Sequence, residues 1–170
     1  NVEIVCTTDD PADNLEFHRQ IATTPFGVKV LPAWRPDKLM AVEDGLVYRQ
    51  YLEKLGAAAD MEIRHWPDLL EAVDRRQRYF HQLGCRLSDH GLYAFPGADF
   101  SESALECLFD KLLKNQHLTT EEIEIFQTGM LYHLAVQNYR MGWAQQFHIG
   151  AIRNNNIRLY QLLGADIGCD

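Results

Sequence analysis

The chain has 170 residues, 46% of them hydrophobic and 24% charged, the balance of a folded chain rather than a disordered one. Its formal net charge is −8, and its lysines and arginines are scattered. This argues against nucleic acid as a partner, since binding there needs clustered cations that displace counterions. No apolar run approaches the roughly 20 residues that span a bilayer, and no signal-peptide pattern opens the sequence. No membrane partner is expected, and a reducing cytoplasm is the expected compartment.

Four short apolar runs read as strands: Val2 to Thr7, Val28 to Leu31, Cys85 to Leu87 and Trp143 to Ile149. The first two are rich in β-branched residues and nearly continuous in apolar character, as in a parallel sheet covered on both faces. Between them the spacing predicts helices. Asp13 to Ala22 opens on Asp and Asn in capping positions. Lys38 to Ala57 and Asp68 to Leu83 follow, the latter stopped by Gly84. Phe100 to Lys114 precedes Thr119 to Met141, which opens on a capping box of Thr119 and Glu122 and stops at Gly142. Asn154 to Leu163 is the last, closed by Gly164. Strand and helix in alternation predict an α/β fold with a parallel sheet and two enlarged helical connections. Trp and Tyr residues on the long helices are expected in the core.

The cysteines Cys6, Cys85, Cys107 and Cys169 form no CxxC pair. Reduced thiols are therefore expected, with Cys6 and Cys85 as small buried hydrophobes. The opening NVEIVCTTDD reads as a strand already under way, and the closing LLGADIGCD as an element without a cap. The chain is expected to be a central segment, residues 1–170, of a longer protein.

In parallel α/β folds ligands bind at the carboxyl ends of the strands. Every strand end here carries polar groups: Thr7-Thr8-Asp9-Asp10-Pro11, Trp34-Arg35-Pro36-Asp37, Ser88-Asp89-His90, and His148 with Arg153. TTDDP reads first as a turn and helix start, with Asp9 or Asp10 as the alternative site residues. Arg35 can pair with Asp37 to stiffen its loop, or fork onto a substrate carboxylate. Asp89 and His90 are neighbours on an extended chain, so only one of them can face a barrel axis. His90 or His148 could ligate a metal, move a proton or sit in a structural hydrogen bond. The run Asn154-Asn155-Asn156 suits a polar loop or a capped helix start. His18, His65, His81, His117 and His133 fall in helices or loops and read as ordinary surface or packing residues.

VCTTDDP, VLPAWRPDK, GCRLSDH and QFHIGAIRNNN, in that order and spacing, resemble successive segments of the uronate (glucuronate) isomerase family. The resemblance covers essentially the whole chain. It implies a (β/α)8 barrel of the amidohydrolase superfamily that interconverts D-glucuronate with D-fructuronate, and D-galacturonate with D-tagaturonate. That chemistry moves a proton between C2 and C1 through an enediol-like intermediate. By position, Arg35 matches a family arginine that contacts substrate. Asp89 and His90 match the polar end of the fifth strand, and His148 and Arg153 match active-site residues at the sixth. The resemblance thus makes Asp89, His90 and His148 candidate catalytic residues, and Arg35 and Arg153 candidate substrate-binding residues.

Family members carry a His-x-His pair on the first strand and an Asp on the eighth that hold a divalent metal, usually zinc. This chain has no His-x-His, so the metal ligands are expected outside it. Motif order implies strands three to six of a barrel whose full length is about 200 to 250 residues or more. The segment alone is expected to be inactive, and its open edges favour homo-oligomerisation. Two other readings are a metal-dependent hydrolase of the same superfamily and a helical interaction module.

Overall fold

The computed structural model describes residues 1–165; Cys169 lies outside the described residues. Along the chain run β1 (Ile4–Cys6), α1 (Glu16–Ala22), β2 (Lys29–Leu31), a 3₁₀ turn (Asp37–Leu39), α2 (Gly45–Ala59), α3 (Trp66–Gln82), β3 (Leu87–Leu92), α4 (Glu102–Leu113), α5 (Thr120–Met141), β4 (Ala144–Ile149) and α6 (Ile157–Leu163). The alternation expected from the sequence is present.

β1 pairs in parallel with β2, Ile4 opposite Lys29, and β3 with β4, Leu87 opposite Ala144. Trp34 joins the two ladders, bridging Asp9 on one side and Ser88 on the other. Its amide donates to the Leu87 carbonyl at 3.2 Å, and its carbonyl accepts from Asp89 N at 2.8 Å. Four parallel segments therefore lie side by side in chain order.

Local signals explain most element ends. Asp44 accepts from Leu46 N and Val47 N to start α2. Thr119 and Glu122 form the expected box on α5, and Gly142, at φ 66°, closes it in the left-handed region that suits glycine. Several boundaries differ from expectation: α1 begins at Glu16 rather than Asp13, behind Leu15, which makes no side-chain cap, and α6 begins at Ile157 rather than Asn154. The predicted helix from Lys38 is a 3₁₀ turn followed by a separate helix from Gly45, because Asp44 rather than Lys38 supplies the cap. The third strand begins at Leu87 and runs through Ser88, Asp89 and His90, held there by pairing with β4. Cys85 precedes it, buried, its amide finishing α3 at the Phe80 carbonyl.

The core lies between the sheet and α2–α5. Trp34 packs edge-on against Phe80 at 4.9 Å and Trp143 at 6.3 Å. Trp66 does the same with Phe126 at 5.5 Å and Phe109 at 6.1 Å. Each such side chain, fully buried, contributes about 1.5–3 kcal/mol. Three buried polar side chains form a chain: Gln77 Nε2 donates to Asn138 Oδ1 at 2.7 Å, and Asn138 Nδ2 to Ser88 Oγ at 2.9 Å. Arg76 donates to the carbonyls of Pro11, Ala58 and Asp13 at 2.7–2.9 Å, tying the loop after β1 to α3.

The margins are different. All three residues of β1 are exposed, and neither α1 nor α6 buries a side chain. Cys6 is exposed, contrary to its expected burial, because no layer covers β1. Tyr132 and Tyr139 on α5 are likewise exposed, whereas Tyr48, Tyr51 and Trp66 take the expected core positions.

Candidate functional site

Strand alternation sorts the strand-end side chains onto two faces. Ser88 and His90 point to the helices: Ser88 meets Asn138 of α5, and His90 is fully buried against Phe147, ring centroids 5.2 Å apart. Asp89 and Gly91 point the other way, opposite Gln146 and His148 of β4. That open face brings Arg35, Asp89 and His148 together.

Arg35 Nε donates to Asp37 Oδ2 at 2.9 Å, and Nη1 lies 3.4 Å from Asp89 Oδ2. The other Asp89 oxygen sits 3.1 Å from His148 Nδ1, an ion-pair contact without hydrogen-bond alignment. On the far side of the ring, Nε2 is 3.0 Å from the Gln146 side-chain nitrogen. An amide N–H donating to Nε2 leaves the ring proton on Nδ1, facing Asp89. Asp89 is nearly buried, while the His148 side chain is 48% exposed, so the carboxylate is fixed and the imidazole faces outward. A carboxylate–imidazole couple flanked by a guanidinium can relay a proton and donate to a substrate oxygen.

His90, Asp10 and Asp9 make their hydrogen bonds away from this cluster. His90 Nε2 contacts Ser88 Oγ at 3.1 Å. Burial pushes its pKa below the ordinary histidine value, against the opposing pull of Asp37 and Asp89, which favours the neutral ring. Arg153 is exposed in the connection between β4 and α6. There the asparagine run ends in a cap, Asn156 Oδ1 accepting from Leu159 N at 3.1 Å. Asp10 turns its loop by accepting from Ala12 N at 2.9 Å, and meets Lys38 Nζ at 3.2 Å. Asp9 is nearly buried on the α1 side. Its Oδ2 accepts from Thr7 Oγ1 at 2.6 Å and Ala33 N at 3.2 Å, and lies 3.8 Å from His18 Nε2.

Sequence reasoning missed Gly91, Gln146 and the Thr7–His18 contact of 2.7 Å. Gly91 and Gln146 could have been found by extending the third strand through SDHGL and counting alternate residues. His18 gave no such signal, since its partner is eleven residues away. Among the described residues, no group of three or more His, Cys, Asp or Glu side chains is arranged to hold a metal ion.

The fold and its strand ends define the class: an α/β protein with parallel strands whose ionisable groups gather at their carboxyl ends. The chain belongs to the glucuronate isomerase family, whose model matches residues 1–170. It is 47% identical to a uronate isomerase of Cellvibrio japonicus and 45% identical to one of Bacteroides thetaiotaomicron, in each case over 100% of this chain and 36% of the relative. The crystal structure of uronate isomerase from Thermotoga maritima matches with a TM-score of 0.88 at 35% identity, covering 99% of this chain and 37% of that one. The glucuronate isomerase of Caulobacter crescentus matches with a TM-score of 0.85 at 32% identity, over 100% of this chain and 35% of that one. The chain thus spans about a third of the length of the relatives it matches.

Proposed function

We propose that the full-length protein containing this chain is an aldose–ketose isomerase, interconverting D-glucuronate with D-fructuronate and D-galacturonate with D-tagaturonate. The observation that carries this reading is the meeting of Arg35, Asp89 and His148 from three separate parallel segments, in a chain matching glucuronate isomerases along its whole length.

In this reading His148 exchanges a proton with a substrate hydroxyl at Nε2, where the hydroxyl takes the place of the Gln146 side chain, while Asp89 flanks the Nδ1 side of the ring. Arg35 donates to a substrate oxygen, and Arg153 meets the sugar carboxylate. His90, turned to the core, supports β3 from behind. A divalent metal, zinc by the resemblance, has no ligand set among the described residues, and none of these steps runs through it.

The reading extends to architecture. The four parallel segments correspond to strands three to six of a (β/α)8 barrel of the amidohydrolase superfamily. The rest of the protein packs on the exposed faces of β1, β4, α1 and α6. A homo-oligomer and a cytoplasmic location belong to the same reading; no helix among the described residues is long and apolar enough to cross a membrane.

Arg35→Ala and His148→Ala in the full-length protein test the assignment. Each is expected to lower kcat/KM for D-glucuronate by about 10²-fold or more, the usual contribution of a positioned acid–base group. If Arg35→Ala left both affinity and turnover unchanged, its role here would be wrong.

A further inference from the structure

Arg35 is a long side chain on an open face, 26% exposed, with roughly 2 kcal/mol of rotamer entropy to lose when held in one place. Packing alone does not hold it. Asp37 accepts from its Nε at 2.9 Å, and the same carboxylate accepts from Gly91 N at 3.1 and 3.3 Å. The guanidinium is thereby tied to the backbone of β3 as well as to its own loop. Gly91 provides the second restraint. A Cβ there would lie 2.5 Å from Arg35 Nη2 and 3.2 Å from Asp37 Oδ2. Gly91 is not among the glycines at positive φ, so its backbone would accept alanine. What the glycine supplies is space, and the guanidinium fills it. Gly91 also pairs directly with His148, so this space lies within the cluster itself.

We propose that Asp37 and Gly91 are positioning residues for Arg35: the Asp37 carboxylate bridges the guanidinium to the Gly91 amide, and the absent side chain at Gly91 seats it beside Asp89. The proposal rests on the reading of Arg35 as a substrate-contacting group. Asp37 and Asp89 hold the guanidinium from two sides, which fixes its plane as well as its position. An added methyl at Gly91 displaces only the far end of a flexible side chain. The fold loses little, and the placement of Arg35 is lost.

The test uses the full-length protein with Asp37→Asn, Gly91→Ala and Arg35→Lys, singly and in pairs, assayed on D-glucuronate alongside thermal unfolding. Asp37→Asn and Gly91→Ala are each expected to lower kcat/KM by about tenfold or more, since a misplacement of about 1 Å can cost about 10²-fold. The unfolding midpoint stays within about 2 °C of the parent. Combined with Arg35→Lys, each costs less than it does alone, because both act through the same guanidinium. The proposal is overturned if either single variant keeps its kcat/KM while Arg35→Lys lowers it, if the loss comes with a midpoint drop of about 5 °C or more, or if the paired effects simply multiply. If Arg35→Lys alone changes nothing, the reading of Arg35 falls first and takes the positioning role with it.

Discussion

The layer of α2–α5 and the margin of β1, α1, β4 and α6 are both rich in apolar residues, yet only the first is closed. In the layer, Leu55, Leu69, Leu105, Phe109, Phe126 and Leu134 are fully buried. In the margin, Ile4, Phe17, Ile149, Ile157 and Leu162 are all more than half exposed. Composition does not separate these regions; the presence of a second apolar surface to pack against does. The site lies on the seam: Arg35 and Asp89 rise from the closed side, His148 from the open one. Its fixed groups are therefore the nearly buried Asp89 and the clamped Arg35, and its most exposed group is the imidazole.

The largest expected effect comes from the closed layer. Trp66→Ala removes contacts with Phe109, Phe126 and His133 and should cost about 3–5 kcal/mol in denaturant unfolding. Asn138→Ala strands the Gln77 amide in the interior and leaves Ser88 Oγ with His90 alone; the expected loss is about 1–3 kcal/mol, and a loss no larger than that of a surface substitution would show that the polar chain is dispensable.

His90 gives a smaller, pH-dependent effect. Burial holds its pKa below the ordinary 6.5, so below that pH the unfolded chain takes up a proton that the folded chain resists. Stability is full above pH 6.5 and falls as the pH drops toward the lowered folded value. His90→Gln should flatten this acid limb in unfolding midpoints measured from pH 7 to 5. The smallest effect belongs to the margin. Ile157→Ala in the isolated 170-residue chain should change stability by no more than about 0.5 kcal/mol. In the full-length protein the cost should rise to about 1–3 kcal/mol as that face becomes covered. Equal costs in both would erase the difference between the regions.

The alternation of elements was legible in the sequence because capping chemistry is local. Thr119 with Glu122, and Gly142, mark the ends of α5 by residues within one turn of each other. The extent of β3 was less legible. Ser-Asp-His-Gly looks like a loop, and only the pairing with β4, more than fifty residues later, makes it a strand. The site candidates at strand ends were readable one by one. Their sorting was not: that Asp89 joins Arg35 and His148 while His90 turns to Phe147 depends on which face the helices cover. Gly91 lies two residues past Asp89 and Gln146 two before His148, so alternate counting reaches both. That they stand opposite the site's His148 and Asp89 depends on strand register.

The most direct measurement is a parallel assay of D-glucuronate isomerisation by the full-length protein and by the purified 170-residue chain. Conversion to D-fructuronate is expected from the full-length protein and none above background from the chain, whose described residues hold Arg35, Asp89 and His148 but no group of three or more metal-binding side chains. Turnover by the isolated chain, or none by the full-length protein, would contradict this expectation.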